Sequence, residues 1–375
     1  MRDYKIAMSE PDLSDLEASY LARCLSDNWI SSAGPFINEF EQRIAKYFNR
    51  RYAIATSSGT SAIELSLKAQ GVSAGHGVLI PDWTFSGTIN AVLHLGAEPV
   101  VCDIDPSSFG LCMHSVRRCF EDYSSTGKKI KAILPVHPLG TPLCLRELYE
   151  FSSANGLAVV EDAAGAFNSR LNGSLVGSTG DTVIFSFNGN KVLTCGGGGM
   201  VLTDDPTISK RIMLYRSNSA GVYDYQVPSY NHQMLNIAAG IGLAQLDRIN
   251  EISSKRKHIH QRYRDELASG HGLFSIVPVP NGVQPNNWLF WLLFENASVA
   301  KQFTEFLEGQ SIQSRMFWKS LSLSPAFENL PKTELKHSQS ISSRVVTIPS
   351  GSQLSYEKQT NVIDAITAWV HSCKS

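Results

Sequence analysis

Long apolar runs are absent from this chain. Its longest aromatic-apolar run, Trp288 to Phe294, is far too short to span a bilayer and reads as a buried strand. The N-terminus, MRDYKIAMSEPDL, carries no apolar signal segment. Charge of one sign is also missing. Lys and Arg number 33 against 34 Asp and Glu, for a net charge of −1 and no long run of either sign. A nucleic-acid surface and a polybasic membrane patch are therefore not expected. The seven cysteines, Cys24, Cys102, Cys112, Cys119, Cys144, Cys195 and Cys373, form no CxxC pair. No metal site is expected, and an odd, scattered set suits reduced thiols in a cytoplasmic protein. What the chain does have is size. At 375 residues, 43% of them hydrophobic, it should divide into a large and a small domain.

The first half alternates strands and helices. Gly34 and Pro35 open a helix whose apolar stripe is Phe36, Phe40, Ile44 and Phe48. Strands follow at Tyr52–Thr56, Val78–Ile80, Glu98–Cys102 and Lys131–Val136. Helices are expected from about Thr60 to Gly71, around Ile89–Leu95, and over Leu145–Asn155. This alternation predicts right-handed βαβ units and a mostly parallel sheet. Later, a helix over Ile208–Tyr215 gives way to a polar stretch, Arg216–Gln233, read as a loop at a site or subunit boundary. A helical pattern then runs from Asn236 to Leu267, with a break expected at Ile252–Ser254. We place the domain division here, as residues 1–245 and 246–375. The remainder reads as a compact α+β unit: strands near Phe274–Val277 and Trp288–Phe294, helices near Val299–Glu308 and Tyr356–His371.

The chemistry concentrates between Gly156 and Asp204. One apolar run ends in Glu161 and Asp162; a second ends shortly before Lys191; four glycines, Gly196–Gly199, precede a third. A carboxylate at one strand end and a lysine just after another is the layout that pyridoxal phosphate requires. The lysine forms a Schiff base, and the acid keeps a proton on the ring nitrogen. Upstream, SSGTSAIEL places Ser58 as a helix cap with Gly59 and Thr60 at the helix start, a ready anion site. Trp83 and Phe85 sit at a strand-to-helix junction, where an aromatic could stack on a cofactor ring. His137 reads as a loop histidine rather than a catalytic base. The glycine run lacks GxGxxG spacing and reads as a close turn beside the cofactor.

These pieces together resemble the DegT/StrS-type sugar aminotransferases of fold type I. The resemblance rests on WISSAGPFINEFE, SSGTSAIEL, PDWTFSGTINAVLHLGAEPVVCDID, EDAAGAF, FSFNGNK with GGGGM, YNHQM, GLAQL, and IQSRMFW with IPSG. It is greatest for the 4-aminotransferases of the N-acetylbacillosamine and legionaminic-acid pathways, with perosamine synthases close by. The resemblance implies an α/β fold, with a seven-stranded, mostly parallel sheet and a smaller C-terminal α+β domain. It makes Lys191 the Schiff-base lysine and Asp162 the partner of the pyridine nitrogen. Gly59, Thr60 and Ser186 become the phosphate site, and Phe85 the stacking aromatic. Asn231 would reach the phosphate from the other subunit of a homodimer with shared sites. Ile30, Ser31, Arg315, Trp318 and Lys319 become candidates for the substrate. The implied reaction is ping-pong transamination from L-glutamate to a nucleotide-linked 4-keto-6-deoxyhexose. A UDP-linked N-acetylated sugar comes first, a GDP-linked sugar second.

Four positions depart from the family pattern. Gly165 stands where Gln or Glu is usual and Phe167 where His is frequent. Gln233 replaces the arginine of a Tyr-Asn-Tyr-Arg motif, and Ser322 stands where the branch has a histidine. All four are expected on the substrate side, and Gly165 is expected to leave room there. Three other readings remain open: a sugar 3-aminotransferase, a degenerate cofactor-binding protein with a regulatory or structural role, and a sugar dehydratase. Lys191 argues against the last, because that subclass carries histidine there.

Overall fold

A computed structural model describes residues 4–217, 227–268 and 272–373. Ser14 caps α1 (Asp15–Ser26), and Glu17 closes a capping box. Helix α2 (Pro35–Phe48) buries Phe36, Phe40, Ile44 and Phe48, the stripe set by their spacing. Alternation follows as β1 (Tyr52–Thr56), α3 (Gly59–Ala69), β2 (His76–Pro81), α4 (Ser86–His94), β3 (Glu98–Cys102), α5 (Met113–Ser125), β4 (Lys129–Ile133), α6 (Arg146–Asn155) and β5 (Ala158–Asp162). A short hairpin, β6 (Arg170–Leu171) and β7 (Ser174–Leu175), leads to β8 (Thr182–Ser186), β9 (Gly199–Thr203) and α7 (Pro206–Arg216).

The large sheet has seven strands in the order β1-β9-β8-β5-β4-β2-β3. It is mostly parallel, as expected; β9 alone runs against its neighbours β1 and β8. Six strands therefore present their carboxyl ends at one edge. Ligands bind at that edge of an open α/β sheet. The Ser57–Thr60 turn, Asp82–Phe85, Asp162 and the segment from Ser186 to Lys191 all emerge there.

Several expectations need correction. Helices α1 and α5 add to the expected elements; α5 buries Val116, Cys119 and Tyr123 at helical spacing. The long helical pattern breaks at Arg248, not at Ile252–Ser254, giving α8 (Asn236–Asp247) and α9 (Ile249–Glu266). Arg248 leaves helical geometry (φ −101°, ψ 5°), and its guanidinium bonds Asp12 at 2.8 Å and Glu251 at 3.2 Å. Ile252 lies buried within α9. Of the expected polar loop, residues 218–226 lie outside the described residues; 227–233 form no regular element.

The second unit contains β10 (Phe274–Ser275), β11 (Val283–Gln284), β12 (Phe290–Phe294), α10 (Ala297–Gly309), β13 (Arg315–Phe317), α11 (Lys336–Ile341), β14 (Val345–Ile348) and α12 (Tyr356–Ser372). Its antiparallel sheet, β10-β12-β14-β13, shares a core with Tyr263, Phe303 and Trp369. Backbone pairings tie the units together, Val101 with Lys332 among them. β11 pairs with β6, and near the N-terminus Ile6 pairs with Ile312. Among the described residues no helix is long and apolar enough to cross a membrane.

Candidate active site

A cavity of about 710 Å³ opens at the carboxyl edge of the large sheet. The large unit supplies Ser57–Thr60, Phe85, Thr88, Asp162, Ser186 and Lys191; the small unit closes it with Trp288, Arg315 and Trp318.

Asp162 ends β5 and is 4% exposed. Thr88, in α4, donates its hydroxyl to Oδ2 at 2.8 Å, and the Ala164 N–H reaches Oδ1 at 3.1 Å. Thr84 holds Thr88 in turn, hydroxyl to hydroxyl at 2.9 Å. Burial raises the Asp162 carboxyl above its ordinary value, while Thr88, the Ala164 amide, Lys191 and His137 oppose the rise. Lys191 lies in the turn after β8, its N–H donating to the Asn188 carbonyl at 3.0 Å. The side chain is half-buried and its amine lies deep. Burial lowers the amine to about 7, against the pull of Asp162. Near neutral pH it is thus poised between ammonium and neutral amine, the form that attacks a carbonyl or takes a proton. Its Nζ lies 3.4 Å from the centroid of Trp288.

The anion site is built from close approaches. Ser58 caps α3 by accepting from Ser61 N–H at 3.0 Å, leaving other first-turn N–H groups beside the cavity. A Cβ on Gly59 would come 2.8 Å from Ser186 Cβ, and one on Gly199 would run into the Ser58 carbonyl. Glycine at both positions lets α3, β8 and β9 meet. Phe85, at the N-cap of α4, lines the cavity and remains 63% exposed. An amine for an aldehyde, a buried acid for a ring nitrogen, a hydroxyl and helix amides for a phosphate, and an exposed ring for stacking all fit pyridoxal phosphate.

Other positions fall elsewhere. Ile30, Ser31, Asn231 and Lys319 are exposed and outside the cavity wall. Of the four departures, Phe167 and Ser322 lie away from the cavity, against expectation. Phe167 is 2% exposed and packs edge-on against Phe48, Phe185 and Phe187. Ser322 is buried, its N–H and hydroxyl donating to the Asp82 carboxylate at 2.8 and 3.1 Å. Gln233 lines a neighbouring recess of about 300 Å³ that shares Ser57, Gly197 and Gly198 with the cavity. Gly165 does line the cavity, but the room it leaves is filled. A Cβ there would lie 2.8 Å from Trp288 Cε3. His137 also lines the cavity, yet both ring nitrogens are engaged: Nδ1 accepts from Leu143 N–H at 3.1 Å and Nε2 meets Glu161 at 3.2 Å.

Sequence reasoning missed Thr88 and Trp288. Thr88 had a signal, lying one helical turn beyond Thr84 at the same strand end. Trp288 had none, because an aromatic in an apolar run reads as core.

Known proteins place this geometry. The DegT/DnrJ/EryC1/StrS aminotransferase family matches residues 11–367. A putative pyridoxal phosphate-dependent aminotransferase, EpsN of Bacillus subtilis, is 31% identical, with 98% of this chain and 96% of that protein covered. GDP-perosamine synthase of Vibrio cholerae is 33% identical over 92% of this chain and 94% of its own. Among solved structures, the PLP form of the putative sugar aminotransferase Spr1654 from Streptococcus pneumoniae superposes with a TM-score of 0.89. It is 25% identical, with 98% of this chain and 99% of that one covered. The chain belongs to the DegT/DnrJ/EryC1/StrS family of aminotransferases, whose cofactor is pyridoxal phosphate.

Proposed function

We propose that this protein moves an amino group from L-glutamate to C4 of a nucleotide-linked 4-keto-6-deoxyhexose, in the making of amino sugars for surface polysaccharide. The carrying observation is the Lys191 amine, lowered to about 7, in one cavity with the buried Asp162 carboxyl. Bound there, pyridoxal phosphate supplies an aldehyde and an electron-accepting ring. Lys191 would hold it covalently and, once released, carry the proton between substrate and cofactor carbons. Asp162, oriented by Thr88, would face the ring nitrogen and keep it protonated. Gly59, Thr60 and Ser186 would hold the phosphate, and Phe85 would cover the ring.

Arg315 and Trp318 would meet the nucleotide sugar. Asn231 lies outside the cavity of a single chain, and we place it in the site of a second copy, so that the enzyme is a cytoplasmic homodimer. Ile30, Ser31 and Lys319 enter this reading only if the second copy or a movement of the small unit brings them in. Residues 1–245 and 246–375 are the two domains we propose, with the N-terminal residues packed on the second. The pathway resemblance favours a UDP-linked N-acetyl sugar. The relative from Vibrio cholerae, by its name, favours a GDP-linked one.

The test is direct. Purified protein should show the visible absorbance of bound cofactor, lose it on adding L-glutamate, and aminate one of a panel of nucleotide ketosugars, read by mass spectrometry. A bound cofactor that L-glutamate never converts would favour the degenerate binder.

A further inference from the structure

We propose that Trp288 is a positioning residue for Lys191: its indole face seats the free amine, and residue 165 is glycine because the indole occupies that space. The proposal rests on the reading of Lys191 above and adds a residue to it. Three bonds hold Trp288. Its N–H donates to Asn286 Oδ1 at 3.0 Å, and its carbonyl accepts from Arg256 at 2.8 Å. Its Nε1–H donates to the Asn190 carbonyl at 2.8 Å. The last bond grips the backbone next to Lys191, while the ring face lies 3.4 Å from Nζ. One side chain thus fixes both ends of the lysine. The ring also meets Gly165, where a Cβ would lie 2.8 and 2.9 Å from Cε3 and Cζ3. A ring anchored at both backbone and Nε1 can yield that distance only by leaving its seat against Lys191. Asn286 closes the arrangement, its amide donating to the carbonyls of Gly165 and Phe167 at 2.8 Å each. Trp288 comes from the small unit, so the seating of Lys191 depends on how the two units dock.

The ring face attracts the ammonium form. Its loss is read as the direction in which Lys191 titrates: a merely space-filling role would raise the amine by relieving its burial, whereas losing the ring face lowers it. The experiment is competitive acylation of the full-length, cofactor-free protein across pH, with Lys191 followed by mass spectrometry. Wild type should titrate far below an ordinary lysine. Trp288→Leu should titrate lower still, by about half a unit to one unit, while Trp288→Phe, which keeps a ring face, should stay near wild type. Gly165→Ala leaves Trp288 in the sequence but pushes the indole aside, so it should shift Lys191 in the same direction. Wild-type or raised titration in either the Leu or the Ala variant overturns the proposal, and the Ala variant decides if the Leu variant does not fold. The readout needs no cofactor. A wild type that never accepts an amine from L-glutamate, yet shows these shifts, would defeat the functional reading and leave this one standing.

Discussion

The two sides of the cavity are built differently. The floor comes from the large unit: Asp162, Ser186, Lys191 and the Ser57–Thr60 turn, each at or just beyond a strand end. The wall comes from the small unit: Trp288, Arg315 and Trp318, on or beside strands of another sheet. Sheet register positions the floor directly, because consecutive strand ends sit one strand spacing apart. The wall is positioned by docking. Asp82, at the edge of the large sheet, accepts from Ser322 and Ser338, and the Trp83 indole N–H donates to the Trp318 carbonyl at 3.0 Å. A rigid floor suits chemistry common to every substrate, whereas a docked wall can be reshaped for one sugar without disturbing it.

Floor substitutions should therefore stop both half-reactions, and substitutions of the wall residues Arg315 and Trp318, which do not touch Lys191, only one. The largest effect belongs to Lys191. Lys191→Met should reduce both half-reactions by about 10³-fold or more, as expected when nucleophile and proton carrier are one group. Single-turnover kinetics with each substrate will check it. The same change should stabilise the cofactor-free protein. The folded state lowers the Lys191 amine from 10.5 to about 7, so between those values the unfolded chain binds the extra proton and stability rises with pH. Below about pH 7 the penalty is fully present. Because the side chain is half-buried, we expect about 1–2 kcal/mol of relief there, vanishing near pH 10.5 in thermal melts. Asp162→Asn should follow, with a loss of about 10²-fold in both half-reactions. Absence of that loss would detach Asp162 from the chemistry.

Arg315→Ala and Trp318→Ala should sharpen the contrast from the other side. Each removes a wall residue and should raise KM for the nucleotide sugar about 10-fold to 100-fold, at roughly 1.4 kcal/mol per factor of ten. The half-reaction with L-glutamate should change by less than about threefold. An equal loss in both halves would mean that Arg315 and Trp318, like Trp288, also set the floor.

The same contrast governs what could be read in advance. Asp162, Lys191, Gly59 and Phe85 are legible because each sits at a fixed offset from an apolar run, and the run itself reports the strand. The mostly parallel sheet was legible for the same reason. Gly165 was visible as a missing side chain, but its neighbour was not. Trp288 lies 123 residues further along, and only docking brings it there. Residues 167 and 322 look like substrate positions when aligned by motif. Yet a buried phenylalanine packs into the α2 and β8 aromatics, and a serine hidden against Asp82 belongs to the contact between units. The break at Arg248 was hidden likewise, and the partner that holds its guanidinium there, Asp12, is distant in sequence.

The smallest expected effect follows from that correction. Restoring the family residue as Phe167→His or Ser322→His should leave the ranking of nucleotide sugars unchanged, since neither side chain touches the cavity. Both should instead cost stability. An imidazole in the Phe48–Phe185–Phe187 cluster loses apolar burial and buries a polar ring, for about 2–3 kcal/mol. At position 322 the Asp82 carboxylate loses a hydroxyl donor in a buried setting, for about 1–3 kcal/mol. Melting temperatures and a substrate panel on the two variants decide the matter. A changed sugar preference with unchanged stability would put these positions back in the wall and erase the distinction between wall and supporting core.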